Sequence, residues 1–204
     1  MAELSFPANE IVGELSWQAG PTWEPVFATG VVAVPDGTDV SLDVARIESV
    51  QRSAAGLEVG YSNEPLDLGF ERRLPVDSIT SLKVNYWIVS GSFPSVRHLA
   101  PGLRELTLAA TDLDDGALAI VAQLHRLKSL QIYGNKFTDD GMQQLAALQD
   151  LEELYVEEGT LSPAAFAFAA RLPRLTQLAG LDETPMSAAD IDRVKAMLPG
   201  VNVC

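Results

Sequence analysis

A leucine pattern that returns every 24 residues is the feature that most restricts the fold of this chain. Four segments, LRELTL, LKSLQI, LEELYV and LTQL, begin at Leu103, Leu127, Leu151 and Leu175. In the form L-x-x-L-x-L the last two leucines alternate with other residues, which is the side-chain period of a β-strand. One short strand cannot bury its apolar side alone. The pattern therefore predicts successive strands stacked in a parallel sheet over a shared column of Leu, Ile and Val side chains.

The segments that connect these strands carry the signals of helices. Leu118, Val121 and Leu124 recur at three-residue steps, as residues on one face of a helix do. Thr138 and Ser162 occupy positions typical of helix N-caps. Acidic residues follow in the first turns, where the helix dipole favours negative charge. Each repeat is therefore predicted to be one strand followed by one helical segment.

These repeats resemble the leucine-rich-repeat family. The nearest subtype has the pattern L-x-x-L-x-L-x-x-T-x-L-x-D-x-G-L and occurs in bacterial repeat proteins and, as cysteine-containing-type repeats, in eukaryotic F-box proteins. The matching residues of two repeats are Thr111, Leu113, Asp115 and Leu118, and then Asn135, Phe137, Asp139, Gly141 and Met142. Two positions depart from the pattern: the first glycine comes one place early, at Gly116, and Gly159 replaces the Thr or Asn of the third repeat. The resemblance implies an α/β fold, a right-handed solenoid with a parallel sheet on its concave face and helices on its convex face. It also implies a protein that binds other proteins and is not an enzyme.

The chain is expected to divide into a cap and a repeat region. Residues 1–53 are predicted to form an N-terminal β-rich cap, and residues 54–204 the solenoid. Within the solenoid, regular repeats are expected over 79–178 and a C-terminal cap over 179–204. The C-terminal cap is predicted to contain a helix that begins after Ser187 and then a closing strand.

The N-terminal part shows strand signals without the full repeat pattern. The β-branched segments 26–34 and 40–44 flank a PDGT turn signal. They predict a β-hairpin that covers the first edge of the sheet, because a bare edge favours aggregation. The segment GLEV at 56–59 precedes SLKV at 81–84 by 25 residues and is interpreted as a degenerate first repeat.

The outward positions of the predicted strands form the candidate binding surface. Tyr133 and Tyr155 fall on adjacent strands, and exposed tyrosines are typical anchors of protein interfaces. Glu152 and Glu158 extend the acidic surroundings of the pair. The carboxylates are either a solvated face or a docking surface for Lys and Arg side chains of a partner. The predicted partner-binding residues are Lys83, Gln131, Tyr133, Glu153, Tyr155 and Glu157.

Charge and cysteine content exclude several classes of function. With 28 Asp and Glu against 14 Lys and Arg, the net charge is −14, which opposes binding to nucleic acid or to an anionic membrane surface. This charge favours a basic protein partner, and it also serves solubility. Cys204 is the single cysteine, so no internal disulfide can form. Neither a signal peptide nor a long apolar run is visible, which predicts a cytoplasmic protein.

The sequence contains no recognisable catalytic set. His98 and His125 are the two histidines and are interpreted as structural or surface residues. Neither metal-ligand spacing nor a phosphate-binding glycine loop is present, so we expect no cofactor and no enzymatic activity. The prediction is a bacterial, cytoplasmic protein-interaction module. The main alternative is an acidic inhibitor or immunity protein that blocks a basic enzyme or toxin, and an enzyme subunit or a self-assembling repeat also stays open. The sequence fixes neither the partner nor the oligomeric state.

Overall fold

The computed structural model describes residues 2–9, 11–17, 26–34, 38–53, 56–61, 67–85, 90–111, 113–158 and 161–204. Over these residues the fold is mixed α/β, with one large, mostly parallel sheet. The strands are β1 Ala2–Ser5, β2 Ile11–Trp17, β3 Val26–Phe27, β4 Val31–Val34, β5 Val40–Ser53, β6 Gly56–Tyr61, β7 Ser81–Asn85, β8 Glu105–Ala109, β9 Ser129–Tyr133, β10 Glu153–Glu157, β11 Gln177–Ala179 and β12 Asn202–Val203. The α-helices are α1 Asp115–Val121, α2 Asp139–Met142 and α3 Ala188–Met197. The 3₁₀ helices are Leu68–Arg73, Ser90–Leu99, Gln143–Ala147, Pro163–Arg171 and Leu181–Glu183.

The repeated leucines stack on neighbouring strands. Strands β5, β7, β8, β9, β10, β11 and β12 are parallel neighbours in that order. Leu106, Leu130 and Leu154 are direct register partners, and each is at most 1% exposed. The backbone repeats with the same step, since the N–H of Lys128 donates to the carbonyl of Arg104 at 2.7 Å. The predicted column of stacked leucines is confirmed.

The helical segments begin at the predicted N-caps and are bonded to one another. The hydroxyl of Thr138 accepts from the N–H of Gly141 at 3.2 Å, as an N-cap does. Thr138 also donates to Asp115 of the preceding helix, through its N–H at 2.9 Å and its hydroxyl at 2.6 Å. Ser162 donates to Asp139 in the same way, through its N–H at 2.9 Å and through its hydroxyl. An aspartate in the first turn therefore connects two successive helices each to the next helical segment, which the dipole argument alone did not predict.

The predicted C-terminal helix and closing strand are confirmed. Helix α3 begins after Ser187, whose hydroxyl accepts from the N–H of Asp190 at 3.2 Å and donates to its carboxylate at 2.7 Å. Strand β12 then pairs with β11 in parallel and ends the sheet.

The first parallel strand differs from the prediction. Leu42 of β5, and not Leu57, is the register partner of Leu82. Strand β6, which contains the GLEV segment, pairs antiparallel with the second half of β5. The interpretation of this segment as a first repeat is therefore wrong. The physical reason is that β5 has its own alternating buried residues, Val40, Leu42 and Val44, which pack in the core as those of the later strands do. The second half of β5 extends further and pairs with β6.

The N-terminal strands also pair differently from the predicted hairpin. Strand β4 pairs antiparallel with β1, and β5 pairs antiparallel with β2, so the two arms of the predicted hairpin do not pair with each other. Residues 35–37 of its predicted turn lie outside the described residues. Strands β2 and β3 continue the large sheet beyond β5.

Candidate protein-binding face of the sheet

Side chains of the parallel strands alternate between the core and the opposite face, which we call the sheet face. Five of its residues form one row of direct register partners: Lys83, Thr107, Gln131, Tyr155 and Ala179. A second row follows on one side, with Glu105, Ser129, Glu153 and Gln177, and a third on the other, with Asn85, Ala109, Tyr133 and Glu157. The predicted outward positions are therefore on one face, in the predicted order.

Five of the six predicted binding residues lie together. Gln131 and Tyr133 are on β9, and Glu153, Tyr155 and Glu157 are on the adjacent β10. Gln131 and Glu153 are exposed, and the other three are half-buried.

The sixth predicted residue lies at a distance from this group. Lys83 is exposed on β7, two strands from β9, which is about 10 Å at the usual strand spacing. The strand between them carries Thr107 and Ala109, which are 7% and 3% exposed although they point to the sheet face. The small residues of β8 therefore separate the tyrosines from a polar group on β5 and β7.

That polar group has its own internal partners. Asn85 donates from Nδ2 to Oδ1 of Asp43 at 2.6 Å, which joins β7 to β5. Burial raises the pKa of Asp43, while Asn85 and Lys83 act in the opposite direction and Glu14 adds to the increase. Lys83 is therefore next to a carboxylate of its own chain.

The two tyrosines form an edge-to-face pair. The centroids of the Tyr133 and Tyr155 rings are 6.3 Å apart and the ring planes make an angle of 87°. This is a favourable aromatic geometry. It holds both rings in fixed orientations on the surface, so little side-chain entropy is left to lose when a partner binds.

The ring of Tyr155 packs closely against a glycine, Gly180. Gly180 follows β11 with φ +89° and is buried. A Cβ at this position would lie 3.0 Å from Cζ of Tyr155 and 2.7 Å from the carbonyl oxygen of Val156. Only glycine fits, both for the backbone conformation and for the close approach of the ring. The sequence analysis missed Gly180, and its position directly after a strand was the available signal.

Carboxylates surround the hydroxyl of Tyr155. This hydroxyl donates to Oε2 of Glu157 at 3.3 Å. Partial burial, together with the negative charges of Glu183 and Glu157, raises the pKa of Tyr155 to about 12. The phenol therefore stays neutral and acts as a hydrogen-bond donor. Glu183, in the 3₁₀ helix after β11, was missed because it lies outside the strand positions that the repeat pattern predicts.

The predicted acidic cluster is smaller than the sequence suggested. Glu158 is 2% exposed and its carboxylate accepts the N–H of Asn135 at 2.9 Å. Burial raises the pKa of Glu158, and the bonds from Asn135 oppose that increase. Glu152 forms an ion pair with Lys128 at 3.0 Å. Of the four carboxylates expected around the tyrosines, Glu152 and Glu158 therefore have partners within the chain, and Glu153 and Glu157 are the two that a binding partner could contact.

The side chain of Asn135 forms hydrogen bonds that join the ends of the strands next to the tyrosines. Its Nδ2 donates to the carbonyls of Leu108 and Tyr133, each at 3.1 Å, and its Oδ1 accepts from the hydroxyl of Thr111. With Glu158, these bonds connect the ends of β8, β9 and β10 through buried polar groups. The backbone that carries Tyr133 is fixed by this network.

The histidines and the acidic residues of the described part form no candidate metal site. Among the described residues, no set of three or more His, Cys, Asp or Glu side chains could hold a metal ion. His98 contacts the carbonyl of Leu74 through Nε2 at 2.7 Å, and His125 is exposed. None of the described helices is long and apolar enough to cross a membrane.

Comparisons with known proteins show similarity to solved structures. Neither a protein-family model nor a curated protein matches this chain. Among solved structures, the chain is similar to an internalin (inlF) from Listeria monocytogenes. The two are 20% identical with a TM-score of 0.45, over 68% of this chain and 46% of the internalin chain. The match thus spans less than half of that protein.

Proposed function

We propose that this chain is a leucine-rich-repeat solenoid of the bacterial and F-box-like subtype that binds a protein partner and catalyses no reaction. The sheet face is its concave side, and Tyr133 and Tyr155 are the centre of the contact. The 24-residue register of the parallel strands and the connected helix starts support the solenoid.

One observation carries the proposal for the site: the two half-buried tyrosines are packed edge to face on neighbouring strands of the sheet face. Half-buried aromatic rings held in fixed orientations are the residues that dominate protein interfaces, because they supply apolar area at a low entropic cost. Polar residues such as Gln131 and Glu153 around them fit the rim of such an interface.

A second candidate function rests on the carboxylates. Glu153, Glu157 and Glu183 surround the tyrosines on a chain with net charge −14. Such a surface suits an inhibitor or immunity protein that blocks a basic enzyme or toxin. Long-range attraction of this kind speeds association and weakens with salt. A steep fall of the association rate with ionic strength would favour this candidate, and a rate independent of salt would remove it.

Affinity capture from a lysate of the native host tests the proposal. The full chain serves as bait, as wild type, as Tyr133→Ala/Tyr155→Ala and as the control His125→Ala, which changes an exposed residue in the turn before β9. Loss of one hot-spot residue typically costs about 2 kcal/mol or more, and such losses are not additive. We therefore expect the double variant to bind the captured partner at least roughly 30-fold more weakly. The control should bind as wild type does. Unchanged binding by a folded double variant would contradict the proposed site.

A further inference from the structure

We propose that the site around Tyr155 binds an arginine side chain of the partner, with the guanidinium on the tyrosine pair and ion-paired to Glu157 and Glu183. The inference rests on the proposed function and adds the chemistry of the group that this surface recognises. The bound segment is therefore basic, and one of its arginines is the central contact.

The first argument is uncompensated charge. Glu153 and Glu157 are on the same strand as Tyr155, two residues to either side of it, and Glu183 lies on the next element. The described ion pairs involve other acidic residues: Lys128 pairs with Glu152, Arg174 with Asp150 and Arg193 with Asp190. Glu157 and Glu183 thus lie beside the ring, and Glu153 lies on the same strand, without a described cation of the chain. A cation of the partner would compensate their negative charge.

The second argument is the arrangement of the acceptors. The hydroxyl of Tyr155 is within 3.3 Å of Glu157 Oε2, and Glu183, in the 3₁₀ helix after β11, acts on the same hydroxyl. Both carboxylates therefore lie next to one aromatic ring. Gly180 below the ring has no side chain that could move it away from them. The ring and the acceptors are positioned before any partner arrives.

The third argument concerns which cation fits. A guanidinium is planar, stacks on aromatic rings, is weakly hydrated and donates along two directions at once. A lysine ammonium is a strongly hydrated point charge. Compared with a guanidinium, it stacks less well on an aromatic ring and bonds less well to two separated carboxylates. Two carboxylates beside a fixed tyrosine therefore favour arginine over lysine. Phosphates and carboxylates of a ligand are disfavoured by the same charges.

Nuclear magnetic resonance titration of the isotope-labelled full chain tests the inference. The probes are three capped peptides of the form Gly-Ser-X-Ser-Gly, in which X is arginine, lysine or the neutral isostere citrulline. The arginine peptide should shift the signals of Tyr155, Glu157 and Glu183 in a saturable way at low salt. We expect the affinity of the citrulline peptide to be at least about tenfold lower than that of the arginine peptide. The affinity of the lysine peptide should lie between these two.

Two variants separate the site from general acidity. Glu157→Gln/Glu183→Gln removes the two proposed acceptors, and Asp140→Asn/Asp192→Asn removes the same charge at exposed positions of the helices α2 and α3. The first should weaken the arginine peptide about tenfold and the second less than about twofold.

Three results would overturn the inference: equal binding of arginine and citrulline, equal binding of arginine and lysine, or equal effects of the two double variants. Each of these leaves the proposed function standing if Tyr133→Ala/Tyr155→Ala still abolishes partner capture. Failure of the proposed function itself would appear as capture that this tyrosine variant does not affect.

Discussion

Replacing Glu71 by glutamine should change how the stability of the fold depends on pH. Glu71, in the 3₁₀ helix Leu68–Arg73, is completely buried, and among the described residues its Oε1 has no hydrogen-bond partner. The Ser95 hydroxyl lies 2.9 Å from both Glu71 Oε2 and the carbonyl of Leu68. A hydroxyl has one proton to donate. If Ser95 donates to Leu68, a protonated Glu71 can donate to Ser95 in turn, so the geometry suits the neutral acid.

The magnitude follows from the pKa. Burial raises the pKa of Glu71 from 4.5 to about 8, although the hydrogen bond with Ser95 lowers it. The pKa of Glu71 is higher in the folded state than in the unfolded state. The stability that depends on this proton is therefore fully present below pH 4.5 and is lost as the pH rises to about 8. Each pH unit between these values costs about 1.4 kcal/mol, since the unfolded chain has released the proton and the folded chain has not.

Urea denaturation at several pH values measures this effect. Between about pH 5.5 and about pH 7.5, the free energy of unfolding of the wild type should fall relative to Glu71→Gln by roughly 2 to 3 kcal/mol. Both ends of this range lie above the sequence pI of 4.4, where the chain keeps a net negative charge. Glu105→Gln makes the same substitution at an exposed position of β8 and gives the reference slope. A free-energy difference between wild type and Glu71→Gln that is independent of pH would refute the assignment of a neutral buried acid.

Two further substitutions test the polar connections between repeats. Asn135→Ala removes the side-chain bonds to Leu108, Tyr133 and Thr111, while the backbone N–H of residue 135 still donates to Glu158. We expect a loss of about 3 kcal/mol in urea denaturation, and a loss under about 1 kcal/mol would contradict this role. Gly141→Ala would place a Cβ 1.9 Å from Oδ1 of Asp115 and break the link between helix starts. Its thermal midpoint should fall by several degrees, in line with a cost of about 2 kcal/mol, whereas Gly91→Ala, which meets no atom within 4 Å, should change it little. Equal midpoints for the two glycine variants would contradict the prediction.

The sequence predicts the regular part of this fold well because two periods coincide there. Alternation within each strand and the 24-residue step between strands both place Leu106, Leu130 and Leu154 in the core, and no other pairing satisfies both. The N-terminal strands carry only the first of these signals. Alternation in β5 and β6 shows that they are strands, but it does not reveal which strand each one meets, because antiparallel partners depend on how the chain closes in space.

The candidate site was predictable to the extent that it lies on the strands. Tyr133, Tyr155 and Glu157 follow from register alone, whereas Gly180 and Glu183 belong to the turn after β11, where the repeat is irregular. Glu158 was misplaced for a related reason. A residue just past a strand end can point outward or serve as a buried acceptor. Glu158 is a buried acceptor because its carboxylate accepts the backbone N–H of Asn135.

The central claim, that the sheet face contacts the partner, is tested most directly by photo-crosslinking. A p-benzoylphenylalanine at position 131, which neighbours Tyr155 in register, reports on the sheet face without changing either tyrosine. The same residue at position 147, exposed in the 3₁₀ helix Gln143–Ala147, reports on the helical side. We predict a covalent adduct with the captured partner from position 131 and none from position 147. An adduct from position 147 alone would contradict the account.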